Sequence, residues 1–190
     1  MLKRALIFLI VLVCCANPAW ARWHLDRKDF KGDFQLGTYD LKLRGVGVKT
    51  LFMMRLFVAS FYLPLDTPVG RELSDVPKHL QVKFYTDIPS ATFTSFTIAH
   101  MRPNVSREGF DRLKDRFKRM GELFPNIAYG DDFALTYEPG QGTSFVHNGK
   151  IRGTVQGADF AQAIFATWIG PHPIDHTLKE QVLGLDNAGN

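Results

Sequence analysis

Cysteine is nearly missing from this chain: its 190 residues hold two, Cys14 and Cys15, adjacent and near the start. If the first 21 residues are removed, none remains. That excludes a disulfide framework, a thiol nucleophile and a cysteine-based metal site. The glycine-rich phosphate loop, the paired-glycine dinucleotide fingerprint and the G-x-S-x-G nucleophile elbow are all missing too, so no cofactor is expected. Long hydrophobic runs are scarce. After the first fifteen residues the longest is Leu51 to Leu63, which Arg55 interrupts. It falls short of the roughly 18 residues that a bilayer-spanning helix needs. An excess of one charge is also lacking. Lys and Arg number 23 against 19 Asp and Glu, a net charge of +4, and two of the cations are Lys3 and Arg4. No nucleic-acid partner is expected from so balanced a chain.

What is present begins with an address. Met1-Leu2-Lys3-Arg4 is a basic start, Ala5 to Cys15 an apolar run, and Ala19-Trp20-Ala21 a small-residue cleavage pattern. Together they predict a secretory signal peptide over residues 1–21, removed after Ala21. The remainder is expected to be periplasmic or secreted, with no stable membrane anchor after cleavage. Residues 22–35 read as a leader, 36–185 as one domain and 186–190 as a polar tail. About 170 residues can bury a core without disulfides. The 16 phenylalanines supply material for such a core or for an apolar pocket.

Periodicity gives the elements. Tyr39, Leu41 and Leu43 alternate with charged residues, which predicts a half-buried strand. Gly45-Val46-Gly47 marks a turn or a close approach to the backbone. Leu51 to Leu63 fits a central strand or two strands tightly joined, with a buried helix as the competing reading. Asp66 to Lys78 reads as a loop, and Leu80, Val82 and Phe84 as a strand. After Pro89-Ser90 a helix is expected with Phe93, Phe96 and His100 on one face. Ser106 should cap a second helix with Phe110, Leu113, Phe117 and Met120 as its stripe and a solvated basic face opposite. Asp132 to Glu138, Thr143 to His147 and Ile151 to Val155 form a meander, the last two joined by the hairpin pair Asn148-Gly149. Asp159 opens a helix carrying Phe160, Ile164, Phe165 and Trp168 and ending at Gly170-Pro171. Asp175 caps a last helix that stops at Gly184. Strands, helices, a meander and helices in that order predict an α+β domain, a largely antiparallel sheet with helices on one side.

Other constellations carry little chemistry. His172 and His176 are four apart, but Pro173 lies between them, and no metal site is expected. His147 reads as a strand residue at the surface and Asp131-Asp132 as turn residues.

Three stretches together resemble the chalcone isomerase-like family in its bacterial, exported form. They are Gly45-Val46-Gly47-Val48-Lys49 followed by Leu56 to Pro64; Tyr137 to Thr143 running into Asn148-Gly149; and Phe160 to Thr167 followed by Trp168-Ile169-Gly170 and Pro173. The resemblance spans about Leu36 to Gly184. It implies an open-faced β-sandwich, a curved sheet backed by a layer of helices, with a cleft between them. Plant members cyclise a chalcone by holding a phenolate on a cation and stabilising an enolate with donors; other members bind fatty acids.

Carried onto this chain, the resemblance makes Lys49, Asn104 and Thr167 the catalytic candidates. Lys49, Phe57, Tyr62 and Thr97 become the ligand-binding candidates. Lys49 stands where the family has arginine and lacks its planar fork. Phe57 stands where plant enzymes have a threonine, and Thr97 lies near the position of their tyrosine. Each has an alternative: solvation for Lys49, a helix end for Asn104, a bond to its own helix for Thr167, strand core for Tyr62. The expected partner is a small apolar or acidic ligand such as a fatty acid. The alternatives are an intramolecular lyase acting on chalcone-like enones, and a non-catalytic structural protein whose cleft is filled.

Overall fold

A computed structural model describes residues 30–186. The expected signal peptide, most of the leader and the last four residues lie outside the described residues. Seven strands form one antiparallel sheet in sequential order. They are β1 (Asp33–Leu36), β2 (Tyr39–Leu51), β3 (Met54–Pro64), β4 (Lys78–Phe84), β5 (Asp132–Glu138), β6 (Gly142–His147) and β7 (Lys150–Val155). The helices are α1 (Ser90–Met101), α2 (Arg107–Arg112), α3 (Lys114–Leu123), α4 (Ala158–Ile169) and α5 (His176–Leu183), with a 3₁₀ turn at Arg102–Asn104 after α1. This is the expected α+β architecture, with helices against one face of the sheet.

Alternation along the strands assigns the two faces. Phe61 meets Phe165 of α4, so Phe57, Ala59, Phe61 and Leu63 point toward the helices. Leu80, Val82, Phe84, Phe133, Leu135 and Phe145 join them in one core with Phe160, Ile164 and Trp168. Nine of the twelve α4 residues are buried, which places α4 in the middle of the helical layer. On the other face, Phe34 of β1 stacks on His79 of β4 with ring centroids 3.7 Å apart. In a flat sheet those strands would be separated by about 14 Å, so the sheet curls around this face.

The sheet begins at Asp33, inside the stretch read as leader. That strand is four residues of alternating polar and apolar character, too short for periodicity to reveal. β2 runs through both glycines, which mark a close approach rather than a turn. A Cβ on Gly45 would fall on the Gln181 carbonyl oxygen of α5, and one on Gly47 would lie 2.7 Å from Leu178. The apolar run from Leu51 divides into the end of β2, a turn at Phe52-Met53 and β3.

Two helices differ from their expected form. The buried face of α1 is Phe93, Thr97 and Met101, while Phe96 and His100 pack on each other at its exposed side. Ser106 caps as expected by accepting from the Gly109 amide, but the helix breaks at Leu113 into α2 and α3. The stripe survives the break, since Leu113, Phe117 and Met120 remain buried. Arg116 on the basic face ion-pairs with Asp159 of α4. The Asn148-Gly149 turn has both residues at positive φ, 48° and 75°, as a type I′ hairpin requires. Asp131 serves that turn by accepting from Ala128, His147 and Asn148. The Ala128 amide leads these bonds in holding its carboxyl at about 2.

Candidate functional site

The inner faces of β3 and β4 end in aromatic residues. Phe57 and Phe84 are cross-strand partners with centroids 5.8 Å apart. Trp168, at the last turn of α4, sets its edge against Phe57 at 5.7 Å, and Phe93 of α1 does the same to Phe84 at 5.7 Å. Aromatic rings held edge to face fill space as rigid plates rather than as collapsing chains. Here they leave a cavity of about 320 Å³ between the sheet end, α1 and α4. Leu56, Ile88, Phe96 and Ile174 complete its apolar wall, and Thr86, Asp87, Thr92, Thr97 and Thr167 supply its polar atoms.

Three of those five residues spend a side-chain polar atom on the protein itself. The Thr97 hydroxyl donates to the Phe93 carbonyl at 2.8 Å, and the Thr167 hydroxyl donates to the Ile164 carbonyl at 2.5 Å. A threonine in a helix satisfies itself this way, and its proton is then withheld from a ligand. Asp87 accepts from the Tyr129 amide. No Lys, Arg or His contributes to the wall.

The structure divides the sequence candidates. Phe57, Thr97 and Thr167 line the cavity; Lys49, Tyr62 and Asn104 do not. Tyr62 points to the opposite face of the sheet and packs on Phe34 and His79, because its register is one residue from Phe61. Asn104 is a clasp. Its amide nitrogen donates to the carbonyls of His100 and His172, and its oxygen accepts from the His172 amide at 2.9 Å. It ties the end of α1 to the loop after α4, beside Gly170. Lys49 is on the inner face next to Phe57, but its ammonium ion-pairs with Asp175 at 2.5 Å. Asp175 also caps α5 by accepting from the Leu178 amide. Partial burial works against its charge, but the Lys49 bond and the α5 amides outweigh it and hold the carboxyl below its usual range.

Among the described residues, one buried lysine lies elsewhere. Lys78 donates to the Ser74 carbonyl at 2.7 Å and sits over the Tyr137 ring, with burial pushing its amine down to about 8. It is six positions from Phe84 on β4, about 20 Å along the strand. Sequence reasoning missed Phe84, Phe93, Phe96 and Ile174 as cavity residues. Their only signal was an apolar position near a strand or helix end, which reads equally as core.

The family model described as chalcone isomerase-like matches residues 25–184. The chain belongs to the chalcone isomerase-like family. No curated protein sequence matches it. Among solved structures, the chalcone isomerase-like domain is similar to a fatty-acid binding protein of Arabidopsis thaliana. The TM-score is 0.64 at 18% identity, covering 81% of this chain and 90% of that one. At that identity the likeness establishes the shared fold. A seven-stranded curled sheet with helices on one face is thus the family's architecture, and the cavity at its end is built with this chain's own residues.

Proposed function

We propose that this protein is an exported chalcone isomerase-like domain that binds a small apolar ligand, such as a medium-chain fatty acid, in the cavity beside Phe57. The observation that carries the reading is the cavity wall itself, aromatic and aliphatic, with the Thr97 and Thr167 hydroxyls bonded to their own helices. Burying an alkyl chain there yields about 0.8 kcal/mol per methylene. The solved neighbour described as a fatty-acid binding protein supports the same ligand class. At roughly 30 Å³ per water-sized unit, 320 Å³ admits about ten such groups. A ligand of eight to twelve heavy atoms fits, on that estimate, and a longer chain leaves its end at the mouth.

The Lys49–Asp175 pair lies at the edge of the wall, where Phe57 and Ile174 are the neighbours of its two members. A ligand carboxylate at that edge shares the ammonium with Asp175. Chalcone cyclisation is less well served. It needs a fixed cation for the phenolate and free donors for the enolate; this wall holds no Lys, Arg or His, and its two helix-buried hydroxyls, Thr97 and Thr167, are bonded to their own helices. The filled-cleft alternative is disfavoured because the phenylalanines frame the space without closing it.

Export rests on the basic start, apolar run and small-residue pattern of residues 1–21, and places the domain in the periplasm or outside the cell. Among the described residues, no helix is long and apolar enough to cross a membrane.

Native mass spectrometry of protein purified gently from an exporting host tests both halves. The expected result is a chain beginning after Ala21 and carrying an acyl species that leaves on mild activation. Titration with saturated acids of increasing length should then show affinity rising to about ten carbons and levelling off. An empty protein with no affinity along that series overturns the binding reading.

A further inference from the structure

The β2–β3 hairpin ends in Leu51-Phe52-Met53-Met54, four apolar residues that are 48%, 86%, 94% and 63% exposed. Phe52 and Met53 form the turn itself, both in the left-handed region with φ of 47° and 65°. That conformation favours Asn and Gly, and the β6–β7 hairpin of the same sheet uses Asn148-Gly149 for it. At Phe52-Met53 the chain holds two large apolar side chains in water and in a backbone region that resists them. Strain of this kind points to a task at the tip.

The geometry narrows the task. β4 pairs with β3 only as far as Phe57↔Phe84, and β1 pairs with β2 only over Tyr39 to Lys42. Met54 therefore projects three residues, about 10 Å, beyond the last strand pair with β4. A stable protein interface needs about 800 Å² from each partner, and a free-standing wedge of four side chains presents much less than a face of that size. A lipid surface asks for less, since apolar groups need to sink only about 5–10 Å to reach the acyl boundary. The charges agree with it. From Leu41 to Leu65 the hairpin carries no acidic residue, and of its cations Lys42, paired with Asp33 and Asp40, and Arg44 lie at the end away from the tip. Arg55 flanks the tip and lies over the Tyr85 ring, which packs on exposed Tyr129, while Lys49 nearby is held by Asp175. A cation and tyrosines beside an apolar wedge suit an anionic headgroup layer.

From these observations we infer that the Leu51–Met54 tip docks the domain on an anionic lipid surface. The next residues, Leu56 and Phe57, line the cavity, and Phe96 at its wall is 48% exposed. A docked domain thus turns its cavity wall toward the source of acyl chains. That last step rests on the binding reading above; the docking does not.

Flotation with vesicles tests it, using the protein as purified from an exporting host. One set is equal parts phosphatidylcholine and phosphatidylglycerol, the other phosphatidylcholine alone. The protein should float with the mixed vesicles, and less with the neutral ones or in high salt. The double substitution Phe52→Asn with Met53→Gly installs the turn sequence that this backbone prefers, so folding is not at risk. It should lower partitioning about tenfold or more without lowering the melting temperature, and should leave binding of water-soluble octanoate unchanged. Wild-type protein that ignores both vesicles, or a double variant that floats as well as wild type, overturns docking. A double variant that floats normally but converts a dimer to a monomer assigns the tip to a second copy and also overturns it. Tip-dependent flotation without octanoate binding by either protein upholds docking and removes the cavity reading alone.

Discussion

The Lys49 ammonium meets the Asp175 carboxylate at 2.5 Å, joining strand β2 to the N-cap of α5 at the edge of the apolar cavity. The cation that the sequence offers for a ligand's acid group therefore already has an anion of its own.

Asp175→Asn tests whether Lys49 also serves the ligand. Asparagine keeps the cap on α5 and releases the ammonium. Octanoate affinity should rise up to about fivefold, the worth of a half-exposed ion pair. Lys49→Ala should weaken it by a similar factor, because Asp175 is left as a bare anion near the carboxylate. Isothermal titration reads both. Unchanged affinity in the pair of variants removes Lys49 from the site.

Thr97→Val separates binding from donor chemistry. The hydroxyl is spent on the Phe93 carbonyl, and valine keeps the shape. Binding of a medium-chain acid should change by less than about twofold, since the bond lost is worth about 1 kcal/mol to the helix and nothing to the ligand. A chalcone turnover that Thr97→Val abolishes would instead show the hydroxyl acting on substrate.

Acid stability should report His79. Burial against Phe34 and Thr136 drives its imidazole from 6.5 to about 3. The unfolded chain takes up a proton below 6.5 that the folded one refuses until about 3. The neutral ring's contribution is thus complete above 6.5, and stability falls by about 1.4 kcal/mol per unit as pH drops through that window. Asp131, held at about 2, contributes its own loss of stability at lower pH than the upper part of this window. Urea melts between pH 6.5 and 4.5 therefore isolate the histidine. His79→Gln should flatten the slope, and a slope that survives it assigns the effect elsewhere.

Gly45→Ala should be far more costly than Gly47→Ala. The first places its Cβ on the Gln181 carbonyl and within 3.0 Å of Val182 backbone; the second meets the Leu178 side chain, which can turn away. About 3 kcal/mol is expected for Gly45→Ala and about 1 for Gly47→Ala, read as shifts in the denaturation midpoint. Equal effects would show that α5 does not rest on the β2 backbone.

Much of the fold was legible because period and punctuation are local. Leu80, Val82 and Phe84 alternate, Asn148-Gly149 names its turn, and Asp175 and Gly184 bracket α5 as cap and stop. The Phe52-Met53 turn escaped because it uses residues that its backbone disfavours. The Leu113 break escaped because the stripe continues through it.

The sequence alone determined most element types, the antiparallel meander, the family and the export expectation, since each depends on neighbours in the chain. Only the tertiary structure decided which candidates share a site. Phe57, Thr97 and Thr167 come from three elements and meet at one cavity, while Tyr62 lies on the other face and Asn104 is a clasp. Lys49 is tied to a carboxylate 126 positions away. A side chain's face is set by strand register and its partner by helix docking, and neither is written in the residues beside it.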